Sequence, residues 1–244
     1  MANNTTPSSI LSRLAALAAL PQEEATAMPP EMYHSTDIVD RERSHIFDQQ
    51  WLCVGLSKAI PNTGDYLSYD IGSQPVVIIR QKDGEVAAFA NVCRHRMSAL
   101  LEGRGNTRAI VCPYHAWTYN LDGTLRGAPA MTKNDGFCKG DYRLPDVRCE
   151  EFLGWVFVTL NPDVPPVAEQ LAKVEELVGD YDMAAYTETF FETHIWNTNW
   201  KVLAENFMES YHLPVCHAGT IGGLSKLDEM ICPPGEEAFN YHTI

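Results

Sequence analysis

Apolar and polar positions change period several times along the chain, and each change marks an element. Ile38, Ile46 and Phe47 fall behind Ser35 and Thr36, either of which can cap, so the spacing predicts a helix over 37–50 with those three facing inward. Strand signals come next: an apolar run at 76–80, a turn at Asp83-Gly84, and a returning strand at 86–91. A second pair at 109–111 and 116–119 folds back at Asp122-Gly123, and the continuous apolar run 155–160 reads as a buried strand.

The pattern breaks near Pro162. Beyond Pro165-Pro166, Val167, Leu171, Val174 and Val178 follow helical spacing up to Gly179. A strand is expected over 189–196. A helix is expected next, from Trp200 to Tyr211, a stretch free of Gly and Pro, and Pro214 should stop it just beyond His212. The apolar run 14–20 predicts a short N-terminal helix. A signal peptide is disfavoured, because the opening residues carry no positive charge and Glu23-Glu24 intrude before a cleavage site. The fold class expected is α+β, divided as 1–35 (extension), 36–162 (an antiparallel all-β domain with its N-terminal helix) and 163–244 (the start of a second domain).

Composition narrows the function. At 244 residues and 45 % hydrophobic the chain can bury a core. Its net charge of −14 repels phosphate and excludes nucleic acid as a partner. No run approaches a membrane span, and a cytoplasmic location is expected. Seven cysteines, an odd number, do not make a disulfide framework. Cys53, Cys138, Cys149, Cys216 and Cys232 are most simply free thiols in a reducing compartment.

The other two cysteines carry the chemistry. Cys93, His95, Cys112 and His115 form C-x-H, sixteen intervening residues, then C-x-x-H. Two thiolates and two imidazoles can hold a [2Fe–2S] cluster, cysteines on one iron and histidines on the other, which makes the cluster easier to reduce. Zinc also takes mixed Cys/His ligands, but a one-residue C-x-H gap fits its usual spacing poorly. Both loops sit at the ends of strand pairs, as two clamping tips need.

With Cys93-Arg94-His95-Arg96 and Cys112-Pro113-Tyr114-His115-Ala116-Trp117, this stretch resembles the Rieske non-haem iron oxygenases. Rieske proteins of respiratory and photosynthetic complexes carry an extra, disulfide-bonded cysteine in each loop; here Tyr114 stands inside the second motif. Further along, Asn199-Trp200-Lys201, Glu205-Asn206-Phe207 and Glu209-Ser210-Tyr211-His212, then His217, look like the iron-binding helix of the same oxygenases. The resemblance implies that 36–162 is a Rieske [2Fe–2S] domain and 163–244 the start of a helix-grip catalytic domain. It also implies that His212 and His217 bind mononuclear Fe(II), that Asn206 lies near the iron, and that Glu209 bridges His212 to a Rieske histidine of a neighbouring subunit in a homotrimer. His115 is the better candidate for that partner. On the expected helix, Glu205, Glu209 and His212 share a face, and Glu205 has no assigned role. Two histidines and a carboxylate around Fe(II) leave positions open for O2.

The resemblance places the third ligand, an aspartate, far downstream. Of the acidic residues after His217, namely Asp228, Glu229, Glu236 and Glu237, none matches a pattern, so the chain reads as the front part of a longer oxygenase subunit. The implied partners are a reductase or ferredoxin electron donor, O2 and a small-molecule substrate. The three-step Asn206–Glu209 spacing looks more like choline, carnitine and glycine betaine monooxygenases than like naphthalene-type dioxygenases, while Met97 departs from a common family glycine. Oxidation of a small quaternary amine is the favoured expectation, an aromatic ring dioxygenase the runner-up. A Rieske electron carrier without oxygenase activity is the rival from another class.

Overall fold

The computed structural model describes residues 7–224, 226, 228–236 and 238–243. Its helices are α1 (Pro7–Ala18), α2 (Glu31–His34), α3 (Thr36–Glu42), α4 (Val167–Gln170), α5 (Ala172–Val178), α6 (Trp200–Phe207) and α7 (Leu213–Cys216). The strands are β1 (Leu52–Leu56), β2 (Asp65–Ile71), β3 (Gln74–Arg80), β4 (Val86–Ala90) and β5 (Arg104–Asn106). They continue as β6 (Ile110–Val111), β7 (Thr118–Tyr119), β8 (Leu125–Gly127), β9 (Asp146–Phe152) and β10 (Trp155–Thr159). The class is α+β. Two compact units divide the chain: Met1–Arg41 with Glu192–Ile244, and Glu42–Phe191. Among the described residues no helix is long and apolar enough to cross a membrane.

The unit Glu42–Phe191 is built on a seven-stranded antiparallel sheet in the order β1-β10-β9-β4-β3-β2-β5, with β6-β7-β8 as a second, three-stranded sheet. The unbroken apolar run of β3 has a simple cause: both of its faces are covered. Val77 and Ile79 join Phe89, Trp117, Tyr119 and the two motif cysteines in one core. Val76 and Ile78 turn the other way, into a core with Leu67, Ile71, Val156 and Val158. Burying each such side chain contributes roughly 1.5–3 kcal/mol. The turn between β7 and β8 needs glycine: Gly123 sits at φ +81°, and a Cβ there would lie 2.7 Å from the Phe89 ring.

In the other unit, α1, α2 and α3 pack Ile10, Met32 and Ile38 together, with Tyr33 against them, and Arg13 pairs with Glu31 at 3.1 Å.

Four expectations change. The helix over 37–50 contains a π turn, Arg43–Phe47, closed by Asp48 N–H on Arg43 O at 2.9 Å. Ile38 is buried as expected, whereas Ile46, inside the π turn, is 40 % exposed. The helix expected after Pro166 is broken into α4 and α5 at Leu171. No strand forms over 189–196; among the described residues nothing pairs with it, and Ile195 is 99 % exposed. A strand without a neighbour leaves its backbone ladder unmade, so alternation alone does not hold it. Finally, α6 ends at Phe207, leaving Glu209 and His212 outside it.

Candidate metal centres

The two cysteine loops are one turn built twice. After β4, Cys93 N–H donates to Ser98 O at 2.8 Å and Met97 N–H to Cys93 O at 3.1 Å. Between β6 and β7, Cys112 N–H donates to Trp117 O at 2.8 Å and Ala116 N–H to Cys112 O at 3.0 Å. The fourth residue after each cysteine, Met97 and Ala116, turns the chain at φ 57°, in the left-handed region that glycine enters most easily. Asn91 braces the first loop: its side chain donates to Leu101 O and accepts from Leu101 N–H, at 2.7 and 3.0 Å.

These turns bury the cysteines, 1 % and 2 % exposed, and leave both histidines facing solvent. The His95 and His115 ring centroids are 4.7 Å apart at 69°. His95 stacks on the buried Trp117 at 4.9 Å, and Tyr114 packs on His115. Burial works against ionising Cys112, yet the N–H groups of Tyr114 and His115, with Cys93 and Ser98, hold its pKa below the ordinary thiol value. Packing, then His115 and Arg96, lowers that of His95, favouring the neutral imidazole that ligates metal. The fully buried Tyr119 hydroxyl accepts from Arg94 N–H at 3.0 Å and lies 3.4 Å from Cys93 Sγ. Burial, then Cys93, pushes its phenol well up.

Among the described residues no three His, Cys, Asp or Glu side chains gather around one point. A tetrahedral zinc site asks for four ligands on one ion, whereas a [2Fe–2S] centre asks for two protein ligands per iron. Buried thiols with N–H donors, beside a solvent-facing pair of imidazoles, fit the second donor set.

The second candidate centre follows α6. Asn199 caps this helix, its side chain accepting from Lys201 N–H at 3.0 Å. The helix stops because the Glu209 carboxylate takes the next backbone donors, accepting from Tyr211 N–H and, at 3.2 Å, from His212 N–H. That corrects the shared helical face expected for Glu205, Glu209 and His212. The same carboxylate meets His212 Nδ1, leaving Nε2 as the free ring nitrogen. Burial works against its charge, but the His212 side chain and the two N–H donors hold its pKa below the usual carboxylate value. A short helix, α7, with Pro214 in its first turn, brings His217 back so that its ring lies 5.4 Å from that of His212.

Asn206, Glu209, His212 and His217 line one cavity of about 560 Å³, with Trp196 and Phe207 among its apolar walls and His242 among its polar groups. The donor set fits two ligands of a two-histidine, one-carboxylate triad. Among the described residues no carboxylate joins the histidines as a third ligand. Glu229 is taken by Lys226 at 2.6 Å, and Glu237 lies outside the described residues. Trp117, Tyr119 and the capping role of Glu209 were missed in the sequence; only the alternation of Trp117 and Tyr119 along the strand hinted at the first two.

A Rieske [2Fe–2S] domain matches residues 50–149, and the catalytic domain of ring-hydroxylating alpha subunits matches 171–239. The first holds a two-iron cluster and the second a mononuclear iron. The glycine betaine monooxygenase oxygenase subunit of Pseudomonas aeruginosa is 33 % identical over 219 residues, 89 % of this chain and 51 % of that protein. The carnitine monooxygenase oxygenase subunit of Escherichia coli is 32 % identical over 239 residues, covering 90 % and 63 %. The chain thus spans about half to under two thirds of these relatives. The crystal structure of the quaternary ammonium Rieske monooxygenase CntA with an inhibitor superposes at a TM-score of 0.80 and 30 % identity, over 86 % of this chain and 59 % of that one. With both domains matched in order, the chain belongs to the Rieske non-haem iron oxygenases, as an alpha-subunit sequence that matches the Rieske domain over 50–149 and the catalytic domain over 171–239.

Proposed function

We propose that the chain belongs to the terminal oxygenase component of a system that uses O2 and electrons from an NAD(P)H-dependent reductase or ferredoxin. The substrate proposed is a small quaternary amine, hydroxylated or demethylated. The observation that carries this reading is the Glu209 carboxylate on His212 Nδ1, beside His217, on the wall of a cavity. When bound, the cluster supplies single electrons and the mononuclear iron activates O2. Cys93 and Cys112 are the buried thiolate ligands, and His95 and His115 the outward imidazoles. His212 and His217 hold the iron, and Asn206 offers an amide to the cavity beside it.

Glu209 fixes the His212 tautomer and raises its basicity. In a homotrimer the same carboxylate reaches the partner subunit's His115. Trp196 and Phe207 offer aromatic faces, which attract a quaternary ammonium without asking it for a hydrogen bond. The cluster function falls within 36–162 and the iron function within 163–244, with 1–35 an extension, and the protein works in the cytoplasm. Oxygen uptake by the protein containing this chain, driven by a reductase, tests the reading. Stimulation by glycine betaine or L-carnitine is expected; stimulation only by an aromatic acid overturns the substrate class.

A further inference from the structure

Glu205 lies on α6 yet takes no part in the histidine pair. Its carboxylate is instead held by a residue far away in sequence: Tyr33 Oη lies 2.8 and 2.9 Å from the two carboxylate oxygens and donates its proton between them. Tyr33 also touches the start of the same helix. Its carbonyl accepts from Asn199 Nδ2 at 3.0 Å, while Asn199 Oδ1 caps α6. Between these ends, Lys201 Nζ lies 5.9 Å from the centre of the Tyr33 ring, on a lysine only 6 % exposed. One tyrosine therefore spans the helix from its cap to its last turn, about 9 Å at 1.5 Å per residue.

The far end of this span is where the candidate iron ligands begin. Glu205 O accepts the Met208 N–H that closes α6 at 3.1 Å, and Glu209 comes one residue later to grip His212. A helix of eight residues is too short to hold its own shape in water. Without a lateral brace its last turn frays, and the Glu209–His212 pair moves with it. Tyr33 is itself anchored, packed on the core of Ile10, Met32 and Ile38.

We propose that Tyr33 and Glu205 are positioning residues for the mononuclear metal site, the N-terminal arm acting as a splint that keeps His212 and His217 at ligating separation. The inference rests on the reading of those histidines as iron ligands. Titration of the full chain with Co(II), which binds such donors more tightly than Fe(II), tests it, with His212→Ala defining the signal from this site. Tyr33→Phe removes one oxygen and no packing. It is expected to weaken Co(II) binding about tenfold, the scale seen when a ligand's supporting partner is lost, with the cluster's visible spectrum unchanged. Glu205→Ala should weaken it equally and the double variant no further, because both remove one interaction. Glu205→Gln, whose amide oxygen still accepts from Tyr33, should restore most of the affinity.

If Tyr33→Phe and Glu205→Ala lower the melting temperature but leave Co(II) affinity of the folded protein unchanged, the brace is structural only and the proposal fails. If wild type and His212→Ala bind Co(II) alike, the iron-ligand reading fails first and takes the proposal with it.

Discussion

Tyr119→Phe perturbs the cluster region at a single atom. The ring is fully buried and stays in place, so packing is kept. Two interactions go: the Arg94 N–H loses its acceptor at 3.0 Å, and Cys93 Sγ loses a hydroxyl at 3.4 Å. Because the tyrosine oxygen already accepts from Arg94, its own proton is left for the sulfur, and a ligating thiolate can only accept. Leaving the partly buried Arg94 N–H without a partner should cost about 1–3 kcal/mol of stability. Reduction adds negative charge to the cluster, so the hydroxyl stabilises the reduced state more than the oxidised one. A charge-assisted hydrogen bond contributes roughly 1.5–3 kcal/mol. If about 1 kcal/mol of that differs between the two redox states, the one-electron potential should fall by about 40 mV, since 59 mV is a tenfold change. Protein-film voltammetry reads this directly. A potential that is unchanged or raised, in a variant that folds and keeps its cluster, refutes the assignment of the hydroxyl as a donor to Cys93.

Three further outcomes are expected. In the protein containing this chain, Glu209→Gln should keep the fold and cluster colour but slow product formation by about two orders of magnitude; single-turnover kinetics at the wild-type rate would exclude the bridge. Met97 holds φ 57° with its side chain 74 % exposed, so Met97→Gly should gain about 0.5 kcal/mol once the looser unfolded chain is discounted, whereas Met97→Val should lose stability, both read by thermal unfolding. Burial, then Glu151, pushes the Cys149 thiol up to about 12, so at pH 8 it has almost no thiolate; mass spectrometry after iodoacetamide should find Cys138, Cys216 and Cys232 alkylated and Cys149 spared.

The cluster motif was legible because its chemistry is local: the cysteine and histidine of each tip lie within one turn, and strands led into both turns. β3 was legible because burial on two faces writes a continuous apolar run. β9 was not, because its sequence carries Asp146, Arg148, Glu150 and Glu151, whose charges are satisfied by partners; Arg148 pairs with Glu150 at 2.6 Å and lies over the Trp51 ring. The end of α6 was not legible either. Propensity favours helix through Tyr211, but Glu209 competes for the backbone donors. The Tyr33–Glu205 contact joins residues 172 positions apart, and no local pattern announces it.

In the proposed assignment, Cys93, His95, Cys112 and His115 hold a [2Fe–2S] cluster with asymmetric ligation. Electron paramagnetic resonance of the anaerobically purified, dithionite-reduced chain, with iron and sulfide analysis on the same sample, reads out this ligation. The expected result is a brown protein with about two irons and two acid-labile sulfides in the cluster and a rhombic Rieske-type signal, lost in Cys93→Ser and Cys112→Ser. A colourless chain that binds only zinc, or a signal that survives both substitutions, would contradict it.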